Sequence, residues 1–329
     1  MSSDDDPNLD DLDQPPHLND QAFNLVNQAL GASEDLRIEP APVKGAGCIL
    51  DCGVEAEGSL AAGLALAEIC LSGMAELSIV PGEVAGAHWP HLFVTTDQPV
   101  EACLLSQYAG WQISVGKYFA MGSGPMRAAA GREELFAKLG YREAATAVVG
   151  VLESGTLPDL KVVRWIAEKC RVAPDRVGLL VAPTSSIAGN LQVVARSVET
   201  AMHKLFEVGF DVSEVVSACG VAPISPVAAD DLNGIGRTND AILYGARVTL
   251  WIDGDDQQIA SLGPKVPASA SPAYGEPFLS IFEQAGRDFY KIDPLLFSPA
   301  EVVFQNVATG RVQRFGRVNH AVLERSFGL

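Results

Sequence analysis

Residues 181–205 constrain the fold of this chain more than any other segment. An apolar run ends near Ala182, a loop rich in Ser, Thr and Gly follows, and the pattern then predicts a helix over 187–208. That helix is apolar on almost every side, and a helix of this kind is normally buried. The segment therefore predicts an interior helix that directly follows a strand.

One face of this helix nevertheless carries polar and charged side chains. Gln192, Arg196, Glu199 and His203 are spaced i, i+4, i+7 and i+11, which places them on one side. Ionisable groups on a buried helix are costly unless they are paired or line a wet cleft. We therefore predict that this polar face borders a functional cleft. A surface i,i+3 ion pair is the alternative, which the apolar surroundings disfavour.

Length and composition are sufficient for a large core. The chain has 329 residues, of which 48% are hydrophobic, and predicted strands and helices alternate along it. Their spacing has no Rossmann or TIM-barrel rhythm. We therefore predict the α/β class, with α+β-like character: two α/β lobes whose sheets are covered by helices. No linker divides residues 21–329, so we expect the two lobes to interleave in sequence.

Residues 1–20 have a different composition. They contain many aspartates and a pair of prolines but few apolar residues. Such a segment cannot bury enough apolar surface to offset the entropy lost on ordering. We expect a disordered acidic tail here.

The net charge of −18 disfavours some partners. A surface this acidic repels nucleic acid and anionic membranes, although it suits a cationic substrate. No segment approaches the ~20 apolar residues of a membrane span, and no secretory signal is recognisable, so we expect a cytoplasmic protein. The six cysteines form no CxxC pair and have no nearby His at metal-ligand spacing. We expect buried thiols rather than a zinc site or disulfides.

A Gly-rich segment precedes a helix predicted over 125–139. The N–H groups of Ser123 and Gly124 at such a helix start can bind an anion, and Lys117 and Arg127 flank the segment. The segment lacks the GK[ST] ending of a Walker A loop. The two flanking basic residues favour an anion-binding corner, and a simple tight turn is the alternative interpretation.

Four aspartates lie in predicted loops or turns: Asp97, Asp230, Asp231 and Asp240. Capping or turn formation is the expected role for most of them. A carboxylate among them can instead accept two hydrogen bonds from a planar donor–donor edge, such as that of a pterin or a guanine.

Taken together, several segments resemble the methenyltetrahydromethanopterin cyclohydrolase family. The resemblance covers nearly the whole chain after residue 20. Its clearest motif is Gly-Arg-Thr-Asn-Asp followed by Ile-Leu-Tyr-Gly, over 236–245. The other matching segments, in chain order, are 51–53, 109–112, 118–125, 180–184, the Arg196–Glu199 helix, 289–294 and 326–329.

The resemblance implies hydrolysis of N5,N10-methenyl-tetrahydromethanopterin to the N5-formyl compound in one-carbon metabolism. It implies a cytoplasmic homotrimer without metal or redox cofactor, whose two lobes face each other across a deep substrate cleft. Glu199 and Arg196 match the catalytic pair of the family. We expect Glu199 to act as general base and acid, and Arg196 to orient it and keep it ionised. Alternatively, Arg196 points at the carbinol oxygen of the intermediate.

Ten residues are candidates for substrate binding. Gln192 can position water, Lys117 and Arg127 can bind anionic groups of the pterin side chain, and Asp97 and Asp240 can bind the pterin edge. The remaining candidates lie in the Gly-rich motifs: Ser123, Gly124, Arg237, Thr238 and Asn239.

Three other functions are compatible with the same residues. The nearest is a cyclohydrolase for the analogous folate compound, because the contacts that select the pterin are not apparent from the sequence. A non-catalytic pterin-binding protein is the second. An oligomeric scaffold, in which the polar helix face is a seam between subunits, is the third.

Overall fold

The computed structural model describes residues 17–108 and 110–329, which fold around two six-stranded β-sheets. The strands are β1 (Glu39–Pro40), β2 (Ile49–Asp51), β3 (Glu76–Val84), β4 (Ala87–Thr96), β5 (Trp111–Val115), β6 (Tyr118–Ser123), β7 (Val148–Glu153), β8 (Val177–Ala182), β9 (Val215–Pro223), β10 (Arg247–Ile252), β11 (Glu301–Asn306) and β12 (Val312–Gly316). The first sheet has the order β1-β2-β8-β7-β6-β5, and the second has the order β12-β11-β10-β9-β4-β3.

Helices cover these sheets and connect them. They are α1 (Leu18–Gly31), α2 (Ser33–Leu36), α3 (Leu60–Cys70), α4 (Met126–Ala130), α5 (Glu134–Leu139), α6 (Leu160–Cys170), α7 (Ile187–Val194), α8 (Ser197–Glu207), α9 (Asp231–Asp240), α10 (Asp256–Leu262), α11 (Phe278–Gln284) and α12 (His320–Phe327). Two further segments, Val100–Gln107 and Ala241–Gly245, are π-helical. Within the described ranges, no helix is long and apolar enough to cross a membrane.

The first sheet is buried on both faces. Its neighbouring strands β7 and β8 run parallel and consist almost entirely of buried apolar residues, as expected for a sheet covered by helices on both sides. Helices α1 and α3 pack on one face, and α4 and α6 pack on the other. This sheet and its helices form the first lobe.

The second sheet buries one face in the largest hydrophobic core. Leu92 and Val94 of β4 pack there together with Val198 of α8. The alternate residues of the same strands point to the opposite face, as strand geometry requires. This outer face carries half-buried apolar side chains near the middle of the sheet: Phe93, Val221, Trp251 and Val303.

The chain passes repeatedly between the lobes. Strands β1 and β2 belong to the first sheet, β3 and β4 to the second, β5–β8 to the first and β9–β12 to the second. Helices α7 and α8 lie on the last crossing. Helix α7 packs on α3 at Gly63, where a Cβ atom would lie 2.8 Å from the Cβ of Leu191, whereas α8 packs on β9 and β10. The predicted class of two α/β lobes without a barrel is confirmed.

The helix predicted over 187–208 is interrupted. Helix α7 ends at Val194 and α8 begins at Ser197, with Arg196 between them at φ −89° and ψ 16°. The N–H of Arg196 donates to the carbonyl of Val193, three residues back, so the chain tightens into a 3₁₀-type turn. The guanidinium group therefore starts from a bend rather than from a regular helix.

Two other predicted elements differ from the structure. The helix over 125–139 is divided at Gly131, whose φ of 56° ends α4 in the left-handed conformation that glycine adopts readily. The strand predicted over 241–252 begins only at Arg247, because the π-helical turn first continues α9. Apolar runs of this length do not distinguish helix from strand.

The N-terminal end of the fold lies inside the span predicted as a tail. Residues 1–16 are outside the described part of the chain. Leu18 is fully buried in α1, and Asn19 Nδ2 donates to Glu143 Oε2 at 2.7 Å while its Oδ1 accepts from the N–H of Val149. Residues 18–20 therefore belong to the packed fold rather than to the acidic tail.

Candidate active site

A cavity of about 370 Å³ lies between the two lobes. The first lobe contributes Met121 of β6 and Glu153 of β7, and α8 contributes Glu199 and His203. The second lobe closes the opposite side, chiefly through residues 289–297. The polar helix face that the sequence predicts thus borders a cleft between the lobes.

Arg196 joins α8 to the first sheet. It is 7% exposed, and its Nη2 donates to Glu153 Oε1 at 2.6 Å, to Gln192 Oε1 at 3.0 Å and to Ser123 Oγ at 3.2 Å. Ser123 and Glu153 are the last residues of β6 and β7. One buried guanidinium therefore connects two strand ends with the start of the next helix.

Glu199 is the most unusual group in the cavity. It is 3% exposed, and its Oε1 has no hydrogen-bond partner among the described residues. Burial raises the pKa of Glu199 to about 7, although the charges of Arg196 and Arg127 lower it; the charge of Glu153 raises it further. A carboxyl group that titrates near neutral pH is suited to both accepting and returning a proton.

The structure differs from the expected direct contact between Arg196 and Glu199. The described contacts of Arg196 place its ion pair on Glu153, at 2.6 Å. Arg196 is the N-cap residue of α8 and lies outside its regular turns, and its side chain extends towards the end of β7 instead of along α8. Arg196 acts on Glu199 through charge alone. The catalytic roles of the two residues stay predictions.

Glu153 was missed by sequence reasoning. The sequence pattern that could have indicated Glu153 is its position as a single acidic residue directly after the apolar strand predicted over 146–152. An acidic residue at a strand end is common, and nothing in the local pattern distinguishes it from a solvated one. Only the parallel pairing of β7 with β8 brings this strand end beside the helix that carries Arg196.

Gln192 and His203 extend the polar face on either side of the central pair. Gln192 is buried, and its Nε2 has no hydrogen-bond partner in the described ranges. The His203 ring stacks on Tyr108 with 4.4 Å between centroids. Burial, with the charges of Arg127 and Lys204, lowers the pKa of His203 to about 4. His203 is therefore neutral near pH 7 and contributes an uncharged surface to the cavity.

The predicted anion-binding corner is not assembled. Arg127 is fully buried and donates through Nε to Glu133 Oε1 at 3.0 Å, with its guanidinium 4.7 Å from the centroid of the Tyr108 ring. Lys117 is exposed in the β5–β6 turn. Gly124 has a φ of 89° and forms the tight turn that was the alternative interpretation. The charge of Arg127 is already paired with Glu133. Arg127 packs against Tyr108, which lines the cavity.

The aspartate candidates lie away from the cavity. Asp97 is exposed and accepts from Ser217 Oγ at 2.7 Å. Asp240 is buried and accepts from the N–H of Phe278 at 2.8 Å; burial raises the pKa of Asp240 to about 7. Asp230 caps α9. Asp230 thus has the expected capping role, whereas Asp97, Asp240 and Asp231, which accepts from Ser185, make contacts between distant parts of the chain.

The Gly236–Gly245 motif contributes less than expected. Its residues form the end of α9 and the following π-helical turn. Arg237 donates to the carbonyl of Val227, and Thr238 is buried with its hydroxyl bonded to the carbonyl of Gly234. Of the candidates in this motif, Asn239 lines the cavity.

An aromatic wall, defined here as residues 289–297, closes the second-lobe side. Phe289, Tyr290 and Phe297 line the cavity from this segment. Helix α8 holds the wall through Lys204, which is buried and whose Nζ donates to the carbonyl of Leu295. The same helix therefore carries Glu199 and anchors the opposite wall.

Comparison with known proteins identifies the family. The cyclohydrolase family described as Cyclohydrolase (MCH) matches residues 17–327. The chain belongs to this family. The methenyltetrahydromethanopterin cyclohydrolase of Rhodopirellula baltica is 49% identical over 93% of this chain and 92% of its own length. The proteins of the same name from Methylobacterium sp. and Methanosarcina barkeri are 44% and 42% identical, each over 95% of this chain and 98% of its own length.

The titration of Glu199 predicts how stability depends on pH in this member of the cyclohydrolase family. Because the pKa is raised from 4.5 to about 7 by folding, the wild type loses stability as pH rises through that interval. Glu199→Gln removes the buried charge. It should stabilise the protein by up to about 3 kcal/mol at pH 8.5 and by little at pH 5.

Thermal unfolding of both proteins across this range measures the difference. Glu207→Gln is the control, since Glu207 is exposed on the same helix. A stability difference that does not grow between pH 5 and 8.5 would contradict the buried, unpaired state of Glu199.

Proposed function

We propose that this chain catalyses the hydrolysis of N5,N10-methenyl-tetrahydromethanopterin to N5-formyl-tetrahydromethanopterin. The relatives named above support the substrate, and the cavity supports the reaction. The observation that carries the proposal is the buried Glu199 carboxyl, with an unpartnered oxygen and a pKa raised to about 7 by burial. It lies in a cavity whose only other described acidic group is Glu153.

The charge of the cavity suits this substrate. The methenyl carbon lies between two nitrogens in an amidinium group that carries one positive charge. Glu153 and Glu199 both line the cavity, and Arg196 offsets one of these negative charges. One carboxylate is therefore left to attract the cationic ring in surroundings of low dielectric.

The proposed reaction has two steps. Glu199 takes a proton from water while the water oxygen bonds to the methenyl carbon, which gives a neutral carbinolamine. The bond between this carbon and N10 then breaks as Glu199 returns the proton to N10. The hydroxyl proton leaves to solvent, and the formyl carbonyl remains on N5. One water is consumed and one proton is released, in balance with the conversion of a cation to a neutral product.

Three polar groups complete the proposed site. Gln192 Nε2 is free to hold the attacking water, because its Oε1 is occupied by Arg196. Ser123 holds the same guanidinium, and Asn239 faces the cavity from the second lobe. The aromatic wall is suited to packing against the flat pterin ring and to excluding bulk water.

We propose that neither a metal ion nor a redox cofactor takes part. The methenyl carbon is already electrophilic, and hydrolysis leaves its oxidation state unchanged. We also propose that the reaction belongs to one-carbon metabolism in the cytoplasm. The six cysteines are all free thiols, which is typical of a reducing compartment.

We propose that the enzyme is a homotrimer and that the outer face of the second sheet is its interface. Phe93 pairs in register with Val221, and Trp251 lies on the same face of the neighbouring strand. Apolar side chains on an open sheet face are a typical association surface, although this face also carries Arg247 opposite Val221 and the ion pair of Arg314 with Glu301. In a chain with a net charge of −18, a face with apolar, basic and paired side chains is where copies approach with less repulsion, and three such faces can pack around a threefold axis.

Glu199→Gln tests the proposed chemistry. The variant keeps the size of the side chain but cannot accept a proton, so turnover should fall by roughly 10²–10⁴-fold, and affinity for the cationic substrate should fall to a smaller extent because the attracting charge is lost. In the wild type, kcat/KM should decline as pH falls below about 7, because protonation of Glu199 removes the base. Loss of the methenyl absorbance measures both quantities. Near-normal turnover in the variant would exclude Glu199 as the base.

Trp251→Glu tests the proposed interface. A charge at the centre of the outer face should convert the trimer to monomers, which size-exclusion chromatography with light scattering detects. Leu60→Glu is the control, since Leu60 is an exposed apolar residue on the other lobe. A Trp251→Glu protein that is folded and still trimeric would place the interface elsewhere.

A further inference from the structure

Glu153 has a distinctive position at the edge of the cavity. It is the last residue of β7, after five buried residues, and its side chain is 14% exposed. It lines the cavity from the first lobe, opposite the helix that carries Glu199. Its only described hydrogen bond is the one that it accepts from Arg196. An acidic group placed so close to the reacting centre has a marked effect on charge there.

The contacts of Arg196 are divided unequally between charged and neutral partners. Of the three oxygens that Nη2 contacts, those of Ser123 and Gln192 are neutral and that of Glu153 is charged. The distance to Glu153 is also the shortest of the three. Among the described residues, the one charged contact of Arg196 is therefore with Glu153, while Glu199 Oε1 and Arg196 Nε are both buried without a hydrogen-bond partner.

This division matters because a carboxylate bonded directly to arginine is a weak base. Such a contact lowers a carboxyl pKa by about 1–3 units and occupies the lone pairs that would receive a proton. Arg196 and Glu199 are three residues apart at the start of α8, a spacing at which side chains on a helix can meet. The carboxylate of Glu153 competes for the guanidinium and draws it towards the end of β7.

We propose that Glu153 is a positioning residue of this active site: by holding Arg196 in an ion pair, it keeps Glu199 free of a direct cationic partner and able to act as the base. The proposal rests on the proposed function for its kinetic consequence. Its electrostatic consequence stands independently of turnover, because the charges of Glu153 and Arg196 act on Glu199 in opposite directions.

Several elements present charged or titratable groups to Glu199. Among the described residues, Glu153 is the one whose negative charge opposes the effect of the arginines on Glu199. The π-helical segment contributes two uncharged groups that sense Glu199. Among the described residues these groups are Arg196 directly before α8, Arg127 of α4, Glu153 of β7, Cys103 of the π-helical segment and Tyr108 directly after it. His203 of α8 lines the same cavity.

The first test is a thermal comparison that needs no substrate. Glu199→Gln is introduced into the wild type and into a Glu153→Gln background, and the change in Tm is measured at pH 8.5. The gain in Tm expected in the wild type should vanish or reverse in the Glu153→Gln background, because Arg196 then pairs with Glu199. An equal gain in both backgrounds would overturn the proposal.

The second test is the pH dependence of kcat/KM. The acidic limb of the profile is the range in which kcat/KM falls as pH decreases. In Glu153→Gln, this limb should move to lower pH by about one unit or more, and kcat/KM at higher pH should level off at a lower value than in the wild type. Ser123→Ala is the matched control, since it removes a neutral contact of the same Arg196 nitrogen and should leave the limb in place. A limb at the wild-type pH in Glu153→Gln would overturn the proposal.

A more conservative variant can replace Glu153→Gln in both tests if that protein misfolds. If Glu153→Gln cannot be purified, Glu153→Asp keeps the charge but withdraws it from Arg196, and the acidic limb should move in the same direction by a smaller amount. An unmoved limb in Glu153→Asp would then contradict the proposal. Absence of turnover in the wild type would refute the proposed function, whereas the thermal comparison would still decide the role of Glu153.

Discussion

The buried ion pair between Arg196 and Glu153 organises the space between the two lobes. It joins the end of β7 to the start of α8 at 2.6 Å, and the same Nη2 also donates to neutral oxygens of β6 and α7. Breaking such a pair by removing one partner is strongly destabilising, by about 3–5 kcal/mol. The bend at residues 195–196 follows from the same arrangement, since it aims Arg196 at the first sheet while α8 packs on the second.

Glu199 differs from this ion pair because its carboxyl group has an oxygen without a partner. A carboxyl with a buried, unpartnered oxygen opposes folding, and natural proteins retain such groups mainly where function requires them. Helix α8 can hold it because its other sides are anchored: Val198 lies in the main core, and Lys204 bonds to the aromatic wall. The energetic cost of one buried, unpartnered carboxyl oxygen is thus tolerated by a helix that is fixed at both ends.

Periodicity was sufficient to find the helix and its polar face, because charged residues in an apolar helix are visible from spacing alone. It was insufficient for Glu153 and the aromatic wall, which reach the cavity only through tertiary structure. Arg127 illustrates the opposite error. A basic residue beside a Gly-rich turn indicates an anion site, but the turn at Gly131 brings Glu133 to 3.0 Å from it. Whether a charge is free depends on how the chain turns between the two partners, which the local sequence pattern did not indicate.

The most direct test of the account is hydrolysis of the proposed substrate by the purified protein. N5,N10-methenyl-tetrahydromethanopterin and the analogous methenyl-tetrahydrofolate are supplied in parallel, and loss of the methenyl absorbance is followed for each. We expect rapid loss of the methenyl absorbance with the methanopterin compound and much slower loss with the folate compound. A folded protein that hydrolyses neither compound would contradict the account, and the cavity would then be a binding site without catalysis.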